Sequence, residues 1–227
     1  MTARLPGAVW RPVSYRAEAP VFTAPLLGWI LHVVEGNGSP LPYWESLKSP
    51  NRAFAHAWVA KDGSSEQYQE LDRQCWAQGA GNGTYLAFET EGRSGEPLTS
   101  AQVATLAAWH RYLGTRDALA DAPGQLGIGV HYMGGQAWGG HTCPDPAPGV
   151  GPRSLQRTSI LAAAQQLPGD GMTPEEILKT LAEWDVSALC GEPAGTLNFQ
   201  VAFSRIYKRT KALQLASGIG GTEDSGS

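Results

Sequence analysis

The run Trp29-Ile30-Leu31-His32-Val33-Val34-Glu35-Gly36 constrains this chain more than any other. It is short, apolar and β-branched, and so reads as a buried strand. It delivers an imidazole to the strand's end, just before the turn residues Glu35, Gly36, Asn37 and Gly38. A side chain held at a sheet edge in this way suits a metal ligand. Further candidates lie far down the chain, in His131-Tyr132-Met133-Gly134-Gly135-Gln136-Ala137-Trp138-Gly139-Gly140-His141-Thr142-Cys143-Pro144. Two histidines and one cysteine leave one position of a tetrahedral zinc ion open for water, the layout of a catalytic centre.

Length and composition set the frame for that reading. With 227 residues, 42% of them apolar, the chain supports one substantial domain and a small appendage. A formal net charge of −4 excludes nucleic-acid binding by bulk charge. No apolar run approaches the roughly 18 residues of a membrane span. Residues 1–7 lack an apolar core, so no signal peptide is expected and synthesis is placed in the cytoplasm. The three cysteines, Cys75, Cys143 and Cys190, are too few and odd in number for a disulfide framework. The 28 glycines and 16 prolines predict long loops on the scaffold, and most of the eight tryptophans are expected to fill the core.

Residues 1–25 carry Pro6, Pro12, Pro20 and Pro25 and read as an irregular arm. After the His32 strand, residues 42–48 form a short helical candidate with Trp44 and Leu47 inward. Residues 54–60 and 67–71 read as a hairpin about Lys61-Asp62-Gly63, and residues 84–90 as a strand that brings up Glu89. A helix follows. Thr99 and Gln102 make a capping box, Val103, Leu106, Ala107, His110 and Leu113 form its apolar face, and Gly114 stops it. Residues 128–131 form a short strand into the glycine-rich stretch, and 153–166 a helix with Leu155, Ile160, Ala163 and Ala164 inward. The break at 168–171 precedes a second capping box at Thr173-Pro174-Glu175-Glu176. An amphipathic segment at about 197–215 carries Arg205, Lys208, Arg209 and Lys211 on one side. The Gly/Ser-rich end is expected to be disordered. The expected division is a catalytic domain over 1–166, a helical element over 172–215 and a tail over 216–227.

The residues alone leave two choices for the second histidine ligand. His141 and Cys143 lie on one side of an extended segment and can chelate together, whereas His131 ends a strand as His32 does. Gly134, Gly135, Gly139 and Gly140 let the backbone fold back toward a metal in either case.

The order of motifs resembles the zinc-dependent N-acetylmuramoyl-L-alanine amidases of type 2. These include phage endolysins and are similar in fold to the peptidoglycan recognition proteins. The resemblance rests on the strand ending in His32, the Ala55-His56 strand before Lys61-Asp62-Gly63, the strand ending Glu89-Thr90-Glu91-Gly92, then His131, the glycine-rich loop and His141-Thr142-Cys143-Pro144. It covers about residues 5–165. The stretches 80–92 and 131–144 look most like endolysins of phages that infect actinobacteria. It implies an α/β fold, with a mixed central β-sheet flanked by helices, to which the C-terminal helical extension is added.

The resemblance also implies one zinc ion held by His32, His131 and Cys143, with Glu89 as the base. Ala55 stands where some members place a catalytic tyrosine, which favours Glu89. His141 occupies the position of a lysine that stabilises the oxyanion, and so is expected to be catalytic. Cys143-Pro144-Asp145 departs from the usual Cys-Pro-Gly. Tyr132 and Trp138, flanking the glycine-rich loop, are expected to wall the substrate groove, and His56 to stand behind the ligands. The implied activity is cleavage of the amide between N-acetylmuramic acid and L-alanine of bacterial peptidoglycan. The implied setting is a phage endolysin made in the host cytoplasm and acting on the cell wall. The competing expectations are a non-catalytic peptidoglycan binder of the same fold and a small metal-stabilised module. The latter requires His131 and His141 both to bind the metal. Neither partner proteins nor an oligomeric state follow from the sequence.

Overall fold

A computed structural model describes residues 4–48 and 50–167. The helical element expected at 172–215 and the tail at 216–227 lie outside the described residues. Six strands form one mixed sheet: β1 (Val9–Trp10), β2 (Gly28–Val33), β3 (Ala57–Val59), β4 (Ser65–Gln67), β5 (Tyr85–Thr90) and β6 (Gly127–Val130), in the order β1-β4-β3-β5-β2-β6. The centre is parallel, β5 and β6 flanking β2 and β3 joining β5, while β3 and β4 form the antiparallel hairpin. Central parallel strands are covered on both faces, which is why β2 reads as an unbroken apolar run and is buried throughout.

The two faces of the sheet are filled differently. On one, Trp29, Leu31, Leu86, Phe88, Ile128 and Val130 pack with Val103, Leu106 and Ala107 of α2 (Ser100–Leu113) and with Ile160, Ala163 and Ala164 of α4 (Arg157–Gln166). On the other, Ala87 and Trp58 meet Val13, Tyr15, Phe54, Tyr68 and Cys75 from the arm and loops, together with Trp44 of α1 (Leu41–Ser46). Because side chains alternate along a strand, His32 and its register partner Glu89 share this second, loop-covered face with Ile30 and Ala87.

Helix α2 has the expected capping box and ends at Gly114, whose φ of 59° is left-handed. It is buried from Ser100 to His110 rather than along one stripe, since it lies between the sheet and α4. Three further expectations change. The arm is not wholly irregular, because β1 pairs with β4. The return strand of the hairpin ends at Gln67, because the N–H groups of Tyr68 and Gln69 both donate to His56 O and close the ladder. The single helix expected at 153–166 is two, α3 (Pro152–Leu155) and α4, and Leu155 faces solvent because Arg153 and Ser154 turn inward. No described helix is long and apolar enough to cross a membrane.

Candidate metal centre

Three elements meet at the carboxyl end of β2. The strand itself carries His32, and β6 runs directly into His131, the first residue of a 3-10 stretch, His131–Trp138. The chain then turns back, and Tyr132 N–H donates to Cys143 O at 3.1 Å. This return sets Cys143 Sγ 3.8 Å from His32 Nδ1 and 3.3 Å from Val33 N–H, which donates to it. One ligand atom each from His32, His131 and Cys143 lies within 4.8 Å of the others. Both histidines are buried and Cys143 is half-buried.

Each imidazole is held from behind. His32 Nε2 lies 3.0 Å from Gln78 Oε1, and His131 Nε2 lies 2.8 Å from Trp138 O. A carbonyl oxygen only accepts, so Nε2 of His131 carries the proton and Nδ1 keeps its lone pair. Burial, followed by the proximity of the other imidazole, holds His32 well below the usual histidine range. Burial likewise lowers His131 and pushes the Cys143 thiol well up, with the Glu89 carboxylate adding to the rise.

Glu89 stands beside this group as the register partner of His32. Burial pushes its carboxyl up to about 8, against a lowering by Arg153. Its Oε2 is sealed from solvent without a hydrogen-bond partner among the described residues, so this carboxyl is not committed to the fold.

His141 lies at the exposed side of the group. Its ring stacks on that of His131, with centroids 4.8 Å apart and planes at 28°. It is not among the three residues whose donor atoms converge. Trp138 corrects the expectation of a groove wall: it is 4% exposed. Its ring packs edge-on against Tyr85 and lies where Cβ atoms at Gly81 and Gly134 would fall, 2.5 and 1.9 Å from ring atoms. It therefore plugs the space between two loops. Tyr132 is half-buried and packs toward the helix-covered core. The ring of His56 is used by the fold, Nε2 donating to Arg73 O at 2.8 Å and Nδ1 accepting from Ala87 N–H at 3.0 Å. Sequence reasoning passed over Gln78, which lies in a stretch without periodicity, and over Arg153. It noted Asp145 only as a departure from a motif. The three are buried and hydrogen-bonded around the site.

Several solved structures are similar in outline. An endolysin N-acetylmuramoyl-L-alanine amidase from Clostridium intestinale is 19% identical, with 63% of this chain and 89% of that one covered and a TM-score of 0.48. The hydrolase AmiA of Staphylococcus aureus is 16% identical, with 72% and 84% covered and a TM-score of 0.49. The Ph2119 endolysin from a Thermus scotoductus bacteriophage is 14% identical, with 62% and 89% covered and a TM-score of 0.44. No curated protein matches the sequence. The sequence profile of the N-acetylmuramoyl-L-alanine amidases does match, over residues 24–146. Because that match spans more than half of the chain and includes His32, Glu89, His131 and Cys143, the chain belongs to the N-acetylmuramoyl-L-alanine amidase family.

Proposed function

We propose that this protein is a zinc-dependent hydrolase of bacterial peptidoglycan. It cleaves the amide that joins the lactyl group of N-acetylmuramic acid to L-alanine, as a phage endolysin does. The observation that carries the reading is the convergence of His32, His131 and Cys143 within 4.8 Å, with each imidazole Nε2 already engaged by the protein. Two imidazoles and a thiol on one side of a site are a donor set suited to zinc, and three protein donors leave a position open. When bound there, zinc supplies a Lewis acid that acidifies water and polarises the scissile carbonyl.

The chain's own groups do the rest. Glu89 accepts a proton from the attacking water and returns it to the amine of L-alanine as the carbon–nitrogen bond breaks. Burial raises this carboxyl above the usual carboxylate range, which favours its holding the proton until the leaving amine takes it. His141, exposed beside His131, donates a hydrogen bond to the carbonyl oxygen as that oxygen gains charge. The test is a zinc assay on the purified chain together with the products of wall digestion. Stoichiometric zinc and new L-alanine amino groups, both lost on chelation, support the reading. New sugar reducing ends in their place would overturn it.

A further inference from the structure

We infer that Gln78 is a positioning residue that locks His32 in the Nε2–H tautomer, so that its Nδ1 lone pair faces Cys143. The inference rests on the zinc reading above only for what that lone pair binds. The hydrogen bonds of the Gln78 amide leave one arrangement. Its Nε2 donates to two backbone carbonyls, Tyr85 O at 3.0 Å and Gly81 O at 3.3 Å. Carbonyls only accept, so the NH₂ end of the amide must face them and Oε1 must face His32, 3.0 Å away. An amide oxygen also only accepts, so the proton of His32 is on Nε2. The ring's remaining nitrogen, Nδ1, is the one 3.8 Å from Cys143 Sγ.

Gln78 is itself fixed. It is fully buried, and its backbone N–H and that of Ala77 both donate to Asn82 Oδ1, at 2.8 and 3.1 Å. The turn it opens is braced by the Trp138 ring over Gly81. Trp138 O takes the Nε2 proton of His131, so two adjoining turns present one acceptor to each histidine. Neither acceptor is ionisable, and both imidazoles are oriented without placing a negative charge behind them. Outer groups of this kind set the orientation and basicity of metal-binding histidines.

The test compares the full-length wild type with Gln78→Met, which removes the acceptor at similar volume, and Gln78→Glu, which keeps one. Long-range proton–nitrogen spectra of the metal-free proteins at neutral pH report the tautomer of each histidine. Competition with a chromophoric chelator reports the affinity for zinc. The expected result is an Nε2–H tautomer for His32 in the wild type and in Gln78→Glu, lost in Gln78→Met, with His131 unchanged in all three. Zinc affinity should fall on the order of 10–100-fold in Gln78→Met and recover in Gln78→Glu. An Nδ1–H tautomer of His32 in the wild type would overturn the inference. So would a Gln78→Met protein with unaltered tautomer and affinity. If the tautomer follows Gln78 as expected but the wild type takes up no zinc, the lock stands and the zinc reading falls. If Gln78→Met does not fold, the wild type and Gln78→Glu spectra still decide the tautomer.

Discussion

Four imidazoles are buried in this protein, two in the interior of the fold and two at the carboxyl edge of its sheet, and the two regions use the same ring differently. In the interior, His56 places Nε2 on Arg73 O and Nδ1 on Ala87 N–H. His110 of α2 places Nε2 on Asp117 and accepts at Nδ1 from Trp29 Nε1–H at 3.2 Å and from the Thr115 hydroxyl at 2.9 Å. Both nitrogens are spent on the fold. At the edge, the backbone and amide groups of the fold engage His32 and His131 only at Nε2, through Gln78 and Trp138 O. Of their Nδ1 atoms, that of His32 meets the Cys143 sulfur, and that of His131 has no backbone or hydroxyl donor among the described residues. Burial therefore does not separate a candidate ligand from a core histidine here. The saturation of the second nitrogen does.

The largest effect expected from that contrast is on metal content. His32→Ala and His131→Ala should abolish zinc binding and wall hydrolysis together. His110→Ala should lower the thermal midpoint but leave one zinc per folded molecule, and His141→Ala should keep zinc while slowing turnover. Zinc content measured on the folded fraction decides it, and loss of zinc in His110→Ala with His32→Ala still loaded would invert the contrast. Next in size is Glu89, whose unbonded Oε2 places it with the edge rather than the interior. Glu89→Gln should fold, keep zinc and lose on the order of 10²–10⁴ in turnover. Turnover within a few-fold of wild type would remove it from the reaction.

The sequence made the edge legible because strands ending in a functional residue have a strong local pattern. His32 stands near the end of an apolar run, Glu89 follows the unbroken apolar run Tyr85-Leu86-Ala87-Phe88, and the capping box of α2 is local chemistry that the structure reproduces at Thr99 and Gln102. Residues whose partners are distant in sequence were not legible. Gln78 meets His32 across 46 residues and Arg153 meets Thr90 across 63, and neither leaves a periodic trace. Trp138 was misread for a related reason. A tryptophan among glycines looks exposed, yet Gly81 and Gly134 are small so that its ring can be buried against them.

The interior histidines should also show themselves through acid. Burial lowers His56 to about 4, against about 6.5 in the unfolded chain. Above about 6.5 neither state binds this proton, and the full stability is present. Between about 6.5 and 4 the unfolded chain takes up a proton that the folded protein refuses, so stability falls as pH falls. That single site contributes roughly 3 kcal/mol across the window. His110 is lowered in the same direction by burial, with Asp117 opposing. Denaturant titrations from pH 7 to 4 should show the slope, and His56→Gln should start less stable and lose part of it. A His56 ring that is charged at pH 5 in the folded protein, read from its Cε1 proton shift, would contradict the assignment.

The smallest effect concerns how the edge is joined to the interior. Asp145 follows Cys143-Pro144, and its carboxylate accepts the N–H groups of Arg153 and Ser154, each at 3.1 Å, in the first turn of α3. The Arg153 guanidinium donates to Thr90 Oγ1 and to Glu91 O, and the Thr90 hydroxyl donates to His32 O. Cys143 and His32 are thus connected through the start of a helix as well as through any ion between them. The fit is close, since a Cβ at Gly151 would fall 2.0 Å from the Asp145 carboxyl. Asp145→Asn keeps the size but weakens acceptance at a helix N-terminus, a loss of about 1 kcal/mol. The thermal midpoint should drop by a few degrees. Zinc affinity should fall by a factor of a few, because the Cys143 loop is less well held, while the tautomers of His32 and His131 should stay as they are. A lowered midpoint with unchanged zinc affinity would make Asp145 a helix cap and nothing more. Altered tautomers would mean that Asp145, and not Gln78 and Trp138 O alone, sets the rings at the edge.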